Sequence, residues 1–341
     1  MQPYIDYIIS AEKLPFAMVA LFVSVFTGFL FGPLQGRLNP GLWGVLQALF
    51  ERPVAKLNRP NRAYSDLFLR GFLLTITCCC IAFLFGALSL YLSVHYPVYG
   101  LTAVLLLLPL LSGGSVWRLM LDLHKDLTGQ DKVTKTVYYP LSLSTRYNLS
   151  TSDDYTITRL GIVFSTMNFT RALVGPVFWF LIGGLPMAYL TSALSFMSWR
   201  TGKGGYSRGF GVFAAKMDKV FMLIPAFITS MLFMLASFFT PTASPARAMR
   251  ALFTNREEIS LPYIQGGQPV AITAWALNTS LGGAYVDYEG TNIKNKWIGP
   301  KQATARLGSG YLKRALYLQL ISFLLMILAL GIFMQISSAG I

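Results

Sequence analysis

Residues 71–95 read GFLLTITCCCIAFLFGALSLYLSVH, a run with no acidic, lysine or arginine side chain. About 20 helical residues cross a hydrocarbon core of ~30 Å, so this stretch is long enough to span a bilayer. Comparable uncharged stretches recur on both sides of it: Leu14–Gly36, Tyr96–Trp117, Ala172–Trp199, Val220–Ala246 and Ala315–Ile341. With 54% hydrophobic and 12% charged residues and a mean hydropathy of +0.53, the chain lies outside the range of soluble domains. The sequence therefore predicts an all-α, polytopic integral membrane protein, with about five to six transmembrane or re-entrant helices and cytoplasmic helical segments. Residues 1–341 are read as one domain. The stretch beginning at Leu14 is read as a retained span, because acidic Asp6 and Glu12 precede Lys13 and no small-residue cleavage pattern stands before Arg37.

The formal net charge is +14, and the basic residues cluster at 52–70, 118–146, 200–219, 247–256 and 294–314. Each cluster borders an apolar span, the pattern of cytoplasmic loops beside anionic headgroups. A nucleic-acid partner is not expected, since that needs the clusters on one exposed face with stacking aromatics; the expected partner is the lipid bilayer. Placing 37–70, 118–160 and 247–314 in the cytoplasm puts both termini outside and makes 71–117 a hairpin turning at His95-Tyr96-Pro97. The strain falls on Arg200–Lys219: if 172–199 and 220–246 each cross fully, this basic loop emerges on the wrong side. Gly183, Gly184 and Pro186 interrupt the first of those spans and Pro225 the second, which favours broken or re-entrant helices.

Catalytic constellations are mostly missing. His95 and His124 have no Cys or carboxylate at metal-ligand spacing, so no metal site is assigned. Consecutive Cys78, Cys79 and Cys80 fan around a helix axis and cannot readily pair with one another. No P-loop exists; the best anion candidate is the glycine-rich run Gly202–Gly211, with Lys203 and Arg208. Asp218, near Lys216 and Lys219 at the start of an apolar span, is the one acidic site candidate. Ser150 to Asp154 supplies a helix N-cap with first-turn carboxylates, starting a helix from about Tyr155. The uncharged, polar stretch Ile259–Val286 is open to two readings, a lining for a polar cavity or an amphipathic helix and loop.

Asn168, then Gly175-Pro176-Val177-Phe178-Trp179, then Gly183-Gly184-Leu185-Pro186, resembles the hallmark stretch of adenosylcobinamide-phosphate synthases, the CobD/CbiB family of cobalamin biosynthesis. The likeness continues through Leu194, Met197, Phe210-Gly211, Asp218, Ile224-Pro225-Ala226, Pro269, Ala271, Leu281-Gly282-Gly283, Tyr288 and Gly290. Arg37 to Arg59, with Asn39-Pro40 where the family has His-Pro, is similar to its first cytoplasmic segment. The resemblance implies a multi-pass protein of the bacterial inner membrane and an ATP- and Mg²⁺-dependent ligase joining an aminopropanol unit to a corrin propionate.

Departures from that family pattern fall on its charged positions. Its Arg-Asp-Thr reads Tyr147-Asn148-Leu149, its Glu-Asn reads Met167-Asn168, and the following Asp is Arg171. Its Asn-Thr-Leu-Asp-Ser reads Ser192 to Phe196, its double Asp reads Asp218-Lys219, its Ser-Pro-Asn reads Tyr263-Ile264-Gln265, and the next Glu is Val270. Carboxylate oxygens hold Mg²⁺, so their replacement implies loss of the condensation; ATP and Mg²⁺ are expected only if the family activity is kept. A candidate pocket at the cytoplasmic face comprises Asn168, Arg171, Lys203, Arg208, Asp218, Gln265, Gly282 and Gly283, suited to an anionic ligand or a protein partner. Two other readings stand beside this one: a non-catalytic scaffold or regulator similar to AmpE, and, last, a transporter, disfavoured because the apolar spans hold almost no ionisable groups.

The charge rule places the Arg200–Lys219 loop in the cytoplasm or at that membrane face. A cysteine introduced at Ser207 is expected to resist a membrane-impermeant thiol reagent added outside intact cells, and efficient labelling would reverse this part of the topology.

Overall fold

The computed structural model describes residues 13–33, 36–59, 61–129, 132–202, 209–254, 267–288, 290 and 292–339. Apart from a short antiparallel hairpin, β1 (Ala284–Val286) with β2 (Asn292–Lys294), regular structure among these residues is helical. Four helices are long and apolar enough to cross a membrane, or up to six if each of two bent pairs is one span. The first is α1 (Lys13–Phe31). After α2 (Gly41–Leu57) comes α3 (Tyr64–His95), which starts seven positions before the uncharged run and carries it whole. Along α3, Leu69, Leu73, Ile76, Leu84 and Leu88 are exposed, an apolar outer face suited to lipid rather than water. Cys78 is buried, Cys79 half-buried and Cys80 exposed, as three successive positions on a helix must be.

A 3₁₀ turn at Val98–Gly100 leads into α4 (Leu101–Leu107). The expected span 96–117 is not one helix: the chain bends by 46° before α5 (Gly114–Thr128). Small residues at this bend let backbones touch. A Cβ on Gly114 would lie 1.9 Å from the Val25 carbonyl oxygen, and one on Gly28 would lie 2.7 Å from the Ser115 nitrogen, so α1 and α5 pack at the distance that glycine alone permits. Next come α6 (Lys135–Thr145) and α7 (Asp154–Phe169), whose Asp153 N-cap accepts the Thr156 N–H at 3.3 Å.

One π-helical turn, Thr170–Val174, joins α7 to α8 (Gly175–Thr201). Inside α8, Gly183 (φ −125°, ψ 15°) and Gly184 (φ 66°, ψ −164°) leave helical geometry, and Pro186 follows. The break reverses the chain. Arg171 and Ser195 bond the two oxygens of the same Asp218 carboxylate, each at 2.6 Å; a straight helix would separate these residues by about 36 Å. Their midpoint in sequence is Gly183. Residues 172–199 therefore fold back at Gly183–Gly184 rather than run as one straight helix.

Broken helices leave carbonyls that lipid cannot satisfy. Here Lys13, only 1% exposed, donates from Nζ to Phe180 O (3.4 Å) and Leu181 O (2.5 Å), immediately before the break. A cation there also meets the negative end of a half-helix.

The chain continues through α9 (Val212–Phe221) and α10 (Leu223–Ala236), bent by 55° between them. Next come α11 (Pro245–Thr254), α12 (Gly267–Leu277) and, after the β1–β2 hairpin, the terminal span α13 (Ser309–Ala339). Within the polar-looking stretch Ile259–Val286, residues 259–266 lie outside the described residues, α12 is buried along almost its whole length, and Gly282 and Tyr285 line a cleft. In α12 the Thr273 hydroxyl donates back to Pro269 O (3.0 Å), within the helix.

Gly114→Val should force α1 and α5 apart and lower the thermal midpoint in detergent by the equivalent of at least ~1–3 kcal/mol of overpacking. Gly44→Ala, where nothing lies within 4 Å of the added Cβ, should match or slightly exceed the wild-type midpoint; equal midpoints for both variants would contradict the close packing.

Candidate functional site

The fold-back of α8 brings together parts of the sequence that are far apart. A narrow cleft with about 80 Å³ of enclosed space is lined among others by Trp43, Tyr147, Asn168, Arg171, Trp199 and Tyr285. Asn39 and Pro40 enter it ahead of α2, Ser144 and Thr145 from the end of α6, and Gly282 and Asn295 from the segment around the β hairpin.

Its walls are aromatic and fixed. The Trp43 and Trp199 rings lie 5.5 Å apart; Trp43 Nε1 donates to Ser192 Oγ (3.2 Å), and Trp199 Nε1 donates to Ser144 O (2.7 Å). Arg146 places its guanidinium over the Trp199 ring at 5.6 Å and donates to Arg200 O (2.5 Å) and Trp199 O (3.3 Å), capping the C-terminal end of α8. Opposite, Tyr147 and Tyr285 stack with centroids 4.8 Å apart and planes 28° apart. Burial pushes both phenols above the ordinary tyrosine value, so both are neutral hydrogen-bonding groups at physiological pH. Asn295 Nδ2 donates to Tyr147 Oη (3.3 Å), and Tyr285 Oη donates to Gly282 O (3.1 Å).

The glycines beside the hairpin are required by space as well as by backbone. Gly282 (φ 91°) would drive a Cβ to 2.3 Å from Lys296 O, and Gly283 (φ 94°) would drive one to 2.7 Å from the Trp297 ring. The hairpin segment is pinned over the cleft: Asn148 N donates to Val286 O (2.8 Å), Ser142 and Tyr288 hydroxyls meet at 2.6 Å, and Arg159 donates to Ala305 O (2.8 Å).

At the floor, Asn168 is 7% exposed and donates from Nδ2 to Ser112 O. Three residues on, in the π turn, Arg171 is ion-paired with Asp218, which is fully buried and also accepts from Ser195 Oγ. Asp218 thus finds its cation across the fold rather than at Lys216 or Lys219 beside it in sequence. Buried, paired and hydrogen-bonded, it stands behind Arg171, which faces the cleft. Of the sequence-derived candidates, Asn168, Arg171 and Gly282 line this one cleft, Asp218 supports Arg171 from behind, and Gly283 adjoins Gly282. Lys203, Arg208 and Gln265 lie outside the described residues. Tyr147 apart, the aromatic walls carry no signal in the linear sequence, because Trp43, Trp199 and Tyr285 converge only through the fold.

Among the described residues, no carboxylate lines the cleft, and no group of three or more His, Cys, Asp or Glu side chains forms a metal-binding cluster. What the cleft offers instead is two indole and two phenol faces, amides at Asn39, Asn168 and Asn295, and one guanidinium. That set packs against an apolar body and hydrogen-bonds its polar periphery.

The profile of a protein family described as "CobD/Cbib protein" matches residues 21–318. A cobalamin biosynthesis protein CobD from Clostridium perfringens is 31% identical over 179 residues, covering 52% of this chain and 55% of that protein. A CobD from Klebsiella pneumoniae is 32% identical over 133 residues, covering 39% and 40%, and a CbiB from Salmonella arizonae is 26% identical over 218 residues, covering 64% and 66%. The chain thus spans about half the length of the curated relatives it matches first. No solved structure matches.

Removing one member of a buried ion pair leaves the other charged and unpaired, at about 3–5 kcal/mol, whereas replacing both by apolar residues is often close to neutral. Asp218→Leu should therefore lower the thermal midpoint in detergent sharply, and Arg171→Met/Asp218→Leu should recover most of that loss. Additive losses in the double variant would contradict a direct pair.

Proposed function

Because the chain belongs to the CobD/Cbib protein family, we propose that it is a divergent member of cobalamin-biosynthesis type that binds an amide-bearing corrinoid ligand at its membrane-face cleft and has lost the ATP-dependent aminopropanol-phosphate condensation. One observation carries the reading: Arg171 stands at the cleft floor, with the nearest buried carboxylate, Asp218, committed to it and to Ser195.

The donor set among the described residues does not fit Mg²⁺. Divalent magnesium is held by carboxylate and phosphate oxygens in near-octahedral geometry, and the cleft offers amides, hydroxyls and a guanidinium. Asp218 already accepts two hydrogen bonds from protein groups, and a cation approaching it would meet Arg171 at 2.6 Å. Condensation through a phosphorylated intermediate depends on stabilising charge on the transferring group.

Binding needs none of that machinery. Flat aromatic faces at Trp43, Trp199, Tyr147 and Tyr285 supply apolar contact area. The amides of Asn39, Asn168 and Asn295 match a ligand edge that carries primary amides, each both donor and acceptor. Arg171, held in place by Asp218, presents a guanidinium suited to a carboxylate or phosphate on that ligand.

Expressed in a strain lacking the synthase, with its membrane insertion confirmed, the protein should not restore growth on corrinoid precursors that require the enzyme. Purified protein should bind such a precursor, followed by its visible absorbance, with Trp199→Ala weakening binding by about tenfold, the loss of one large aromatic contact. Growth of the complemented strain would overturn the loss of condensation; absence of corrinoid binding would overturn the ligand assignment.

A further inference from the structure

A second surface lies away from the cleft, where α10 leaves the apolar region. Phe238 and Phe239, just past the end of α10, are 65% and 69% exposed. The chain then turns and enters α11, which buries Ala248, Ala251 and Leu252 against α12. At about 100° per residue, the opposite face carries Met249, Phe253 and Ala246 along one strip, with Arg250 and then Arg247 along its edge. Met249 is 51% and Phe253 72% exposed. This is the distribution of a helix lying in a membrane interface: one edge apolar, the other basic.

Next to the basic edge is an open hollow lined by Arg247, Trp275, Asn278, Pro300, Lys301 and Gln302. Arg247 and Lys301, from segments 54 positions apart, thus face one space. The ion pairs among the described residues involve none of Arg247, Arg250 and Lys301. Two basic groups around one hollow, with Arg250 between Arg247 and the exposed apolar strip around the same helix, are complementary to a molecule that is anionic at one end and apolar at the other.

We propose that this hollow and the exposed strip of α11 form a binding site for an anionic phospholipid. Its phosphate sits between Arg247 and Lys301, and hydroxyls of its headgroup meet Asn278 and Gln302. Its upper acyl chains lie against Met249, Phe253, Phe238 and Phe239. The apolar strip favours a lipid over a free phosphate, which would gain nothing from exposed phenylalanines. The site is independent of the ligand assigned to the cleft.

The test uses the full-length protein in a neutral detergent, with lipid binding read by native mass spectrometry. The probes are phosphatidylglycerol, phosphatidylcholine of the same acyl chains, and inorganic phosphate. Wild-type protein should prefer phosphatidylglycerol by about tenfold or more, since each basic side chain at an anionic headgroup is worth roughly fivefold. Arg247→Gln/Lys301→Gln should bring the two lipids within about twofold, and the charge-conserving Arg247→Lys/Lys301→Arg should keep the preference, which separates loss of the site from misfolding. Phe253→Ser should weaken both lipids alike. Equal binding of the two lipids by wild type, an undiminished preference in the Gln variant, or displacement of phosphatidylglycerol by inorganic phosphate at equal concentration would each overturn the proposal.

Discussion

The two oxygens of Asp218 are shared between Arg171 and Ser195, residues on opposite sides of a helix break. A single buried carboxylate thereby fixes three segments at once: the π turn before α8, the returning arm of α8, and α9. If the two arms of α8 were straight, neither bond could form. Folded back, they set Asn168 and Arg171 on one side of a cleft and Trp199 on another, with Trp43 of α2 held between them by Ser192. The pair is a weak source of net stability, since desolvating two charges offsets most of their attraction. Its value is in specifying one arrangement, because any other leaves a bare charge in an apolar interior.

Lipid as solvent explains why so much polar chemistry is spent on the backbone. A break at Gly183–Gly184 exposes carbonyls that water would satisfy in a soluble protein. Lys13 does so here, reaching from the first turn of α1 to Phe180 and Leu181. Close packing follows the same constraint from the other side. Between lipid-exposed helices hydrophobic burial drives little association, so contact depends on backbones approaching closely, as α1 and α5 do at Gly28 and Gly114.

The sequence makes the spans legible because lipid tolerates few charges over about 20 residues, and Gly183, Gly184 and Pro186 announce a break inside one of them. What they do not announce is the reversal, which is visible only when Arg171 and Ser195 meet the same partner. Asp218 stands out as an isolated acid at the start of an apolar span, yet its neighbours in sequence suggest Lys216 or Lys219 as partners, and the pair is set by the fold. Lys13 reads as the flank of a span because a lysine at that place usually reaches for the interface; nothing local shows two freed carbonyls waiting 167 and 168 positions away. Most of the aromatic walls are illegible for the same reason. Asn39-Pro40, Tyr147, Asn168 and Gly282 are visible through a family resemblance, while Trp43, Trp199 and Tyr285 become part of a site only in three dimensions.

On the proposed reading a guanidinium, Arg171, stands where the family resemblance implies an acid, and divalent-metal binding separates the two. Mn²⁺, a spectroscopic stand-in for Mg²⁺, can be titrated into the purified full-length protein while the free ion is followed by electron paramagnetic resonance. No saturable site in the micromolar range is expected, and the trace should be the same for wild type and Asp218→Asn. A saturable micromolar site in wild type that disappears in Asp218→Asn would show that Asp218 holds a metal rather than Arg171, and would contradict that reading.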